Sequence, residues 1–171
     1  MDIVRNHEIE DLLRHFAVIE AAIGTTRKQL KTMLSKKGID DAITAAVLAA
    51  REPSETKRSF ISDKTGETAY KYRTSIRMEK AELRRDLLLL EAVKEKLGIG
   101  MNSLSPLQSK IIELRFSKMK SWIDISDELC WCAKTCQRKK QIAIERLRRI
   151  ARISVEDYQI LMKLIDYERV M

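Results

Sequence analysis

The chain has 171 residues and a formal net charge of +8, with 34% charged residues, 5% aromatic residues, 5 Gly and 2 Pro. So few helix-breaking residues favour long helices, and we predict an all-α fold. No apolar run approaches the roughly 20 residues that span a bilayer, and the first residues carry no apolar stretch of the signal-peptide type. We therefore expect a cytoplasmic protein without a membrane partner.

A long first helix is predicted from about Asp2 to Lys36, because its apolar residues alternate in spacings of three and four. These residues are Ile9, Leu12, Phe16, Ile19, Ile23, Leu30 and Met33. A short helix is expected over 40–51. The polar stretch that follows, near 52–67, is predicted to be a mobile loop because it is rich in Ser, Thr and Lys.

A third helix is predicted from about Thr68 to Leu97, with Gly98 and Gly100 at its end. The first and third helices are each about 30 residues, or roughly 45 Å long. They could pair within one chain as a hairpin or between chains as a dimer, and the sequence does not choose. We assign residues 1–100 to a coiled-coil-like domain for oligomerisation or partner contact.

Capping signals mark the helices of the remaining chain. Ser105 is a predicted N-cap, with Pro106 at the first helical position and Gln108 completing a capping box. Ser121 and Asp124 form a second capping box. Cys130 and Trp131 are then expected in a turn, and Cys132 where the next N-cap belongs. A final helix is expected from Val155, capped by Ser154, to about Arg169. This organisation predicts a helix-turn-helix domain over 101–153 and a C-terminal helix over 154–171.

Positive charge is concentrated in one of these helices. Between Lys134 and Arg152 there are eight Lys or Arg and one acidic residue, Glu145, which is a net charge of +7 against +8 for the whole chain. A charge excess confined to one helix indicates a polyanionic partner.

The basic helix is predicted to have two faces. Cys136, Ala143 and Leu147, extended by Ile144 and Ile150, form the inward face. We expect Arg138 and the two Gln residues to reach base edges, because Arg pairs with guanine and Gln with adenine. The Lys and Arg residues farther along are expected at phosphates. The predicted DNA contacts are Ser121, Lys134, Thr135, Gln137, Arg138, Lys139, Lys140, Gln141, Arg146, Arg148 and Arg149.

Three cysteines, Cys130, Cys132 and Cys136, lie within seven residues. This odd and crowded set does not form a disulfide framework, and as a zinc site it lacks a fourth ligand. We predict that all three are packing residues. No carboxylate pair or nucleophile–base set stands out, so we expect neither an enzyme nor a cofactor or metal.

The segment from Leu104 to Arg148 resembles region 4 of sigma-70-type factors. The pieces that carry the resemblance are LSPLQSKIIELRF, SWIDISDELCWC and KTCQRKKQIAIERLR. In size and in its helical region ahead of a C-terminal helix-turn-helix, the chain is most similar to small phage regulators of the ArpU/RinA type. The resemblance implies a phage or prophage late-gene activator that binds duplex promoter DNA, and RNA polymerase as a candidate second partner.

The chain departs from the family pattern in three places. Its N-terminal half lacks the aromatic-rich segment with which sigma factors open DNA. Cys132 replaces a hydroxyl N-cap, and Lys139 and Lys140 replace an apolar residue expected near the middle of the helix, so one lysine stem must cover the core.

Two alternatives stay open. A small-terminase-like packaging subunit would also join a helix-turn-helix to oligomerising helices, whereas a coiled-coil interaction protein would use its basic helix on an acidic partner or RNA. A homodimer or higher oligomer is expected, because one helix-turn-helix buries little DNA surface.

Overall fold

The computed structural model describes residues 2–34 and 64–170, and these residues are almost entirely helical. The seven α-helices of the described ranges are α1 (Asn6–Arg14), α2 (Phe16–Leu34), α3 (Lys64–Asn102), α4 (Pro106–Ile112), α5 (Trp122–Leu129), α6 (Ala133–Ala151) and α7 (Val155–Val170). A π-helical turn (Glu113–Ser117) follows α4. The predicted all-α class is confirmed for these residues, and none of their helices is both long and apolar enough to cross a membrane.

The chain divides into two compact units, the first made of residues 1–23 and 88–171 and the second of residues 24–87. The predicted domain boundary between residues 100 and 101 falls inside α3, so the residues on its two sides share one helix. The first unit also contains residues 1–23. The sequence predicts instead that these residues belong to one domain with the rest of residues 1–100.

Backbone pairing brings the N-terminal residues to the connection between α6 and α7. The Val4 N–H donates to the Ile153 carbonyl at 3.1 Å, and the Val155 N–H donates to the Asp2 carbonyl at 3.0 Å. Val4 and Ile153 are both buried. This short antiparallel clip places α1 in contact with α6.

The predicted first helix is divided at His15. The His15 ring Nδ1 lies 2.8 Å from the Asp11 carbonyl oxygen, which also accepts the His15 N–H at 3.0 Å. A side chain that joins the backbone ladder in this way bends a helix. The apolar spacing nevertheless survives the division, since Ile9, Leu12 and Ile19 are all fully buried.

Within the first unit, α2 and α3 meet in one chain. Lys94 Nζ lies 2.7 Å from Glu20 Oε1, and Leu90, Val93 and Leu97 are buried on the same stretch of α3. In the second unit, considered by itself, Thr26 and Leu30 are buried.

The third helix is longer at both ends than predicted. Residues 64–67, predicted as loop, form its first turn, and it continues past Gly98 and Gly100 to Asn102. The rest of the predicted loop, 52–63, and the predicted helix over 40–51 lie outside the described residues. Gly100 is buried where α3 approaches α6: a Cβ built on it would lie 2.9 Å from Leu147 Cδ2. Gly98 has no neighbour within 4 Å of the same position.

We therefore expect alanine to have opposite effects at these two glycines. Gly100→Ala should lower the free energy of unfolding by up to about 2 kcal/mol, because overpacking against the fully buried Leu147 costs about 1–3 kcal/mol and the better helix propensity of alanine offsets up to about 1 kcal/mol of it. Gly98→Ala should raise it by up to about 1 kcal/mol, because alanine is the better helix former in open space. Urea denaturation of the two variants measures the difference, and a gain at Gly100 equal to that at Gly98 would contradict the close approach.

Helix α4 begins as predicted. The Ser105 hydroxyl accepts the Gln108 N–H at 3.3 Å, Gln108 Oε1 accepts the Ser105 N–H at 3.1 Å, and Pro106 occupies the first position. The π-helical turn after α4 was not predicted. After this turn, Met119 takes a left-handed conformation, with φ 53°. The Lys120 N–H then donates to the Leu114 carbonyl at 3.0 Å.

Candidate nucleic-acid interface

Helix α5 begins and ends with the predicted signals. The Ser121 hydroxyl accepts the Asp124 N–H at 3.2 Å and donates to Asp124 Oδ2 at 2.7 Å, which confirms the capping box. These bonds to Ser121 lower the pKa of the Asp124 carboxyl. Cys130 ends the helix in a left-handed conformation, φ 52°. Ser121 is exposed, but its hydroxyl already serves the cap.

A small apolar cluster fixes α5 and α6 against the end of α4. Leu114, Ile125 and Cys136 are fully buried together, and Trp122 and Leu129 pack against them. These residues come from the π-helical turn, α5 and α6, so the cluster sets the angle at which α6 leaves the turn.

Arg115 closes one side of this arrangement. Its guanidinium carbon lies 5.2 Å from the centre of the Trp122 ring, and its Nη1 donates to the Lys120 carbonyl at 2.8 Å. A cation over an indole face is a favourable pair. No sequence pattern indicates this contact, although Arg115 and Trp122 are only seven residues apart.

Helix α6 has the two faces that its sequence predicts. The buried side chains are Cys136, Ala143, Ile144, Leu147 and Ala151. The exposed side chains are Lys134, Gln137, Arg138, Gln141, Ile142, Glu145, Arg146, Arg149 and Ile150. With 3.6 residues per turn, Arg138 points about 180° away from Leu147. The prediction that Ile150 belongs to the inward face is wrong, because its position turns it to the edge of that face.

Three of the predicted cationic contacts are half-buried: Lys139 and Arg148 lie on opposite flanks of the exposed face, whereas Lys140 lies on the inward face, one turn after Cys136. Lys140 Nζ pairs with Glu10 Oε1 of α1 at 2.7 Å, and only 19% of its side chain is exposed. This is the lysine stem that was expected to cover the core. Arg148 Nε is enclosed without a hydrogen-bond partner.

The other cations of α6 differ from Lys140. Within the described residues, no ion pair engages Lys134, Arg138, Lys139, Arg146 or Arg149. Positive charge on this helix therefore stays available to an external anion. Nothing in the local sequence indicated Glu10 as a partner of the helix, because it is 130 residues from Lys140.

By contrast, the lysines of α4 and of the segment that precedes α5 are neutralised by carboxylates. Lys118 Nζ lies 2.9 Å from Glu113 Oε1, and Lys120 Nζ lies 2.5 Å from Glu128 Oε2. Lys110 Nζ lies 3.5 Å from Glu113 and 4.0 Å from Glu128. The hydrogen bonds from Lys118 and Lys120 lower the pKa of Glu113 and Glu128 respectively. These three lysines therefore offer an external anion far less unpaired positive charge than the exposed face of α6 does.

The three cysteines do not share one environment. Cys136 is buried, as predicted for a packing residue, and burial raises the pKa of its thiol. The packing prediction is wrong for Cys130 and Cys132, which are exposed. Cys132 Sγ makes no capping hydrogen bond to the helix amides and lies 2.9 Å from Thr135 Oγ1, whose hydrogen bond lowers the pKa of the Cys132 thiol. Thr135, a predicted contact, is half-buried.

Comparison of the chain with protein-family models, with curated proteins and with solved structures found no match. Within residues 2–34 and 64–170 there is also no group of three or more His, Cys, Asp or Glu that could hold a metal ion. The function is therefore inferred from the surface of α6.

Proposed function

We propose that this protein is a sequence-specific regulator of transcription that binds duplex DNA, with α6 in the major groove. The observation that carries the proposal is the exposed face of α6, whose cations have no carboxylate partner among the described residues. The opposite face is locked into the core by Cys136 and Leu147. A helix presented in this way fits the major groove, which is about 12 Å wide.

Side chains on the exposed face divide by position. Lys134, Arg138 and Gln141 lie on the first turns of α6 and near the middle of its exposed face. In helix-turn-helix proteins the N-terminal residues of the second helix contact base edges, and in the homeodomain variant the base contacts extend over about two further turns. Arg146 lies farther along and to one side, where a phosphate contact is expected. The resemblance to sigma region 4 makes a phage late-gene activator our specific form of this proposal.

The test is selection of binding sites from a random duplex pool, followed by titrations at several salt concentrations. The wild-type chain should enrich one motif. Arg138→Ala should relax preference at one base pair by about tenfold, within the range expected for a bidentate base contact. Gln141→Ala should relax a different base pair.

Arg146→Ala is the matched control, since it removes the same side chain from an exposed site on the same helix. It should weaken all sequences alike and reduce the salt slope by about one contact, near 0.9 in log–log units. The proposal fails if the wild-type chain enriches no motif, as a general polyanion binder would behave. It also fails if Arg138→Ala and Gln141→Ala both keep the full preference.

A further inference from the structure

One acidic residue stands in the middle of the exposed basic face of α6. Glu145 is exposed and lies seven residues after Arg138, which places it about 20° from Arg138 around the helix and roughly 10 Å farther along it. It points about 180° away from the buried Cys136, as Arg138 points away from Leu147. Glu145 is therefore not on a flank of the helix. It lies on the line that also carries Lys134 and Arg138.

The carboxylate of Glu145 is not engaged by the cations around it. Arg148 and Arg149 follow at the spacings that normally allow a helical ion pair. Within the described residues, however, neither pairs with Glu145, and its two oxygens remain open as acceptors. An ionised carboxylate offers about four lone-pair sites and no donor.

Position decides what this carboxylate would meet on DNA. A negative charge on the flank of the helix would face phosphates and oppose binding of every sequence. A negative charge on the central line faces the floor of the major groove, where base edges carry both donors and acceptors. There the same carboxylate is favourable against a donor and unfavourable against an acceptor.

We infer that Glu145 determines specificity in the proposed DNA binding by accepting a hydrogen bond from the N4 amino group of a cytosine. This inference rests on the function proposed above. Cytosine suits the site better than adenine, because the adenine amine stands beside the N7 acceptor, which would repel the second carboxylate oxygen. Guanine and thymine present acceptors at the corresponding positions and are excluded by repulsion, which is a common source of specificity.

The experiment compares Glu145→Ala, Glu145→Gln and the wild-type chain by site selection and by titration at one salt concentration. Each chain is titrated with the selected duplex, with the same duplex after exchange of the cytosine pair, and with an unrelated duplex. In Glu145→Ala, the ratio of the affinities for the selected duplex and for the duplex with the exchanged pair should fall about tenfold. Its affinity for the unrelated duplex should increase, because a negative charge has been removed. Glu145→Gln should move the preference from cytosine toward adenine, the base that Gln pairs with.

Glu156→Ala serves as the control, because it removes an exposed glutamate from the first turn of α7. It should leave the selected motif unchanged. If Glu145→Ala binds all three duplexes more tightly by the same factor, Glu145 reads no base and the inference is overturned. That outcome leaves the proposed function standing, because the wild-type chain has still enriched its motif. If the wild-type chain enriches no motif, both proposals are overturned.

Discussion

Leu147→Ala is expected to lower the free energy of unfolding by about 2–5 kcal/mol, the range for deletion of a fully buried leucine side chain. Leu147 is on the inward face of α6, and its Cδ2 fills the space over Gly100 of α3. Helices α3 and α6 are already in close contact at Gly100. Neither helix can therefore move closer to fill the cavity that the loss of the Leu147 side chain leaves. A loss of this size is a large part of the 5–15 kcal/mol that stabilises a typical domain.

Urea denaturation followed by circular dichroism measures this loss. Ile142→Ala is the matched control, because it shortens another large aliphatic side chain on the same helix at a position that is 50% exposed. It should cost below about 1 kcal/mol, since surface substitutions rarely exceed this. Equal losses for the two variants would contradict the assignment of the inward and outward faces of α6.

Features encoded within a few residues could be predicted from the sequence. The capping boxes at Ser105 and Ser121 need only a hydroxyl and an acceptor three positions later, so the letters alone identify them. The inward face of α6 follows from the 3.6-residue period, which placed Cys136, Ala143 and Leu147 correctly. Each of these rules acts over one or two helical turns.

Features that depend on distant parts of the chain could not be predicted in the same way. The ion pair between Glu10 and Lys140 and the backbone clip between Val4 and Ile153 join residues more than a hundred positions apart. Gly100 looked like a helix end because glycine is common there. Its observed role, close approach to Leu147, depends on which helix packs against α3.

These distant contacts are what hold the candidate interface in place. Helix α6 is packed by α4 and α5 on the side of the turn and by α1 farther along. The N-terminal clip then ties α1 to the residues that follow α6. An exposed helix supported in this way presents its side chains in one orientation, which a base-reading surface requires because its hydrogen bonds tolerate little displacement.

Replacement of cysteine by serine should change the free energy of unfolding in opposite directions at Cys136 and Cys132, which are four residues apart. Cys136→Ser puts a hydroxyl into the apolar cluster of Leu114 and Ile125. The partner that such a hydroxyl finds locally is a backbone carbonyl of its own helix. The substitution should lower the free energy of unfolding by about 1–3 kcal/mol, the cost of an incompletely satisfied buried polar group. Cys136→Ala serves as the control, since it removes the sulfur without adding polarity and should cost less.

Cys132→Ser should instead stabilise the protein. Cys132 has the extended backbone of an N-cap, φ −66° and ψ 142°, but its thiol makes no capping bond. A serine hydroxyl is among the preferred acceptors for the amides of the first helical turn, and the Thr135 N–H is the amide that such a cap normally binds. Urea denaturation of all three variants under reducing conditions measures the change in the free energy of unfolding relative to the wild-type chain. A loss of stability in Cys132→Ser as large as that in Cys136→Ser would mean that both sulfurs are packed, and would contradict the exposed position of the turn between α5 and α6.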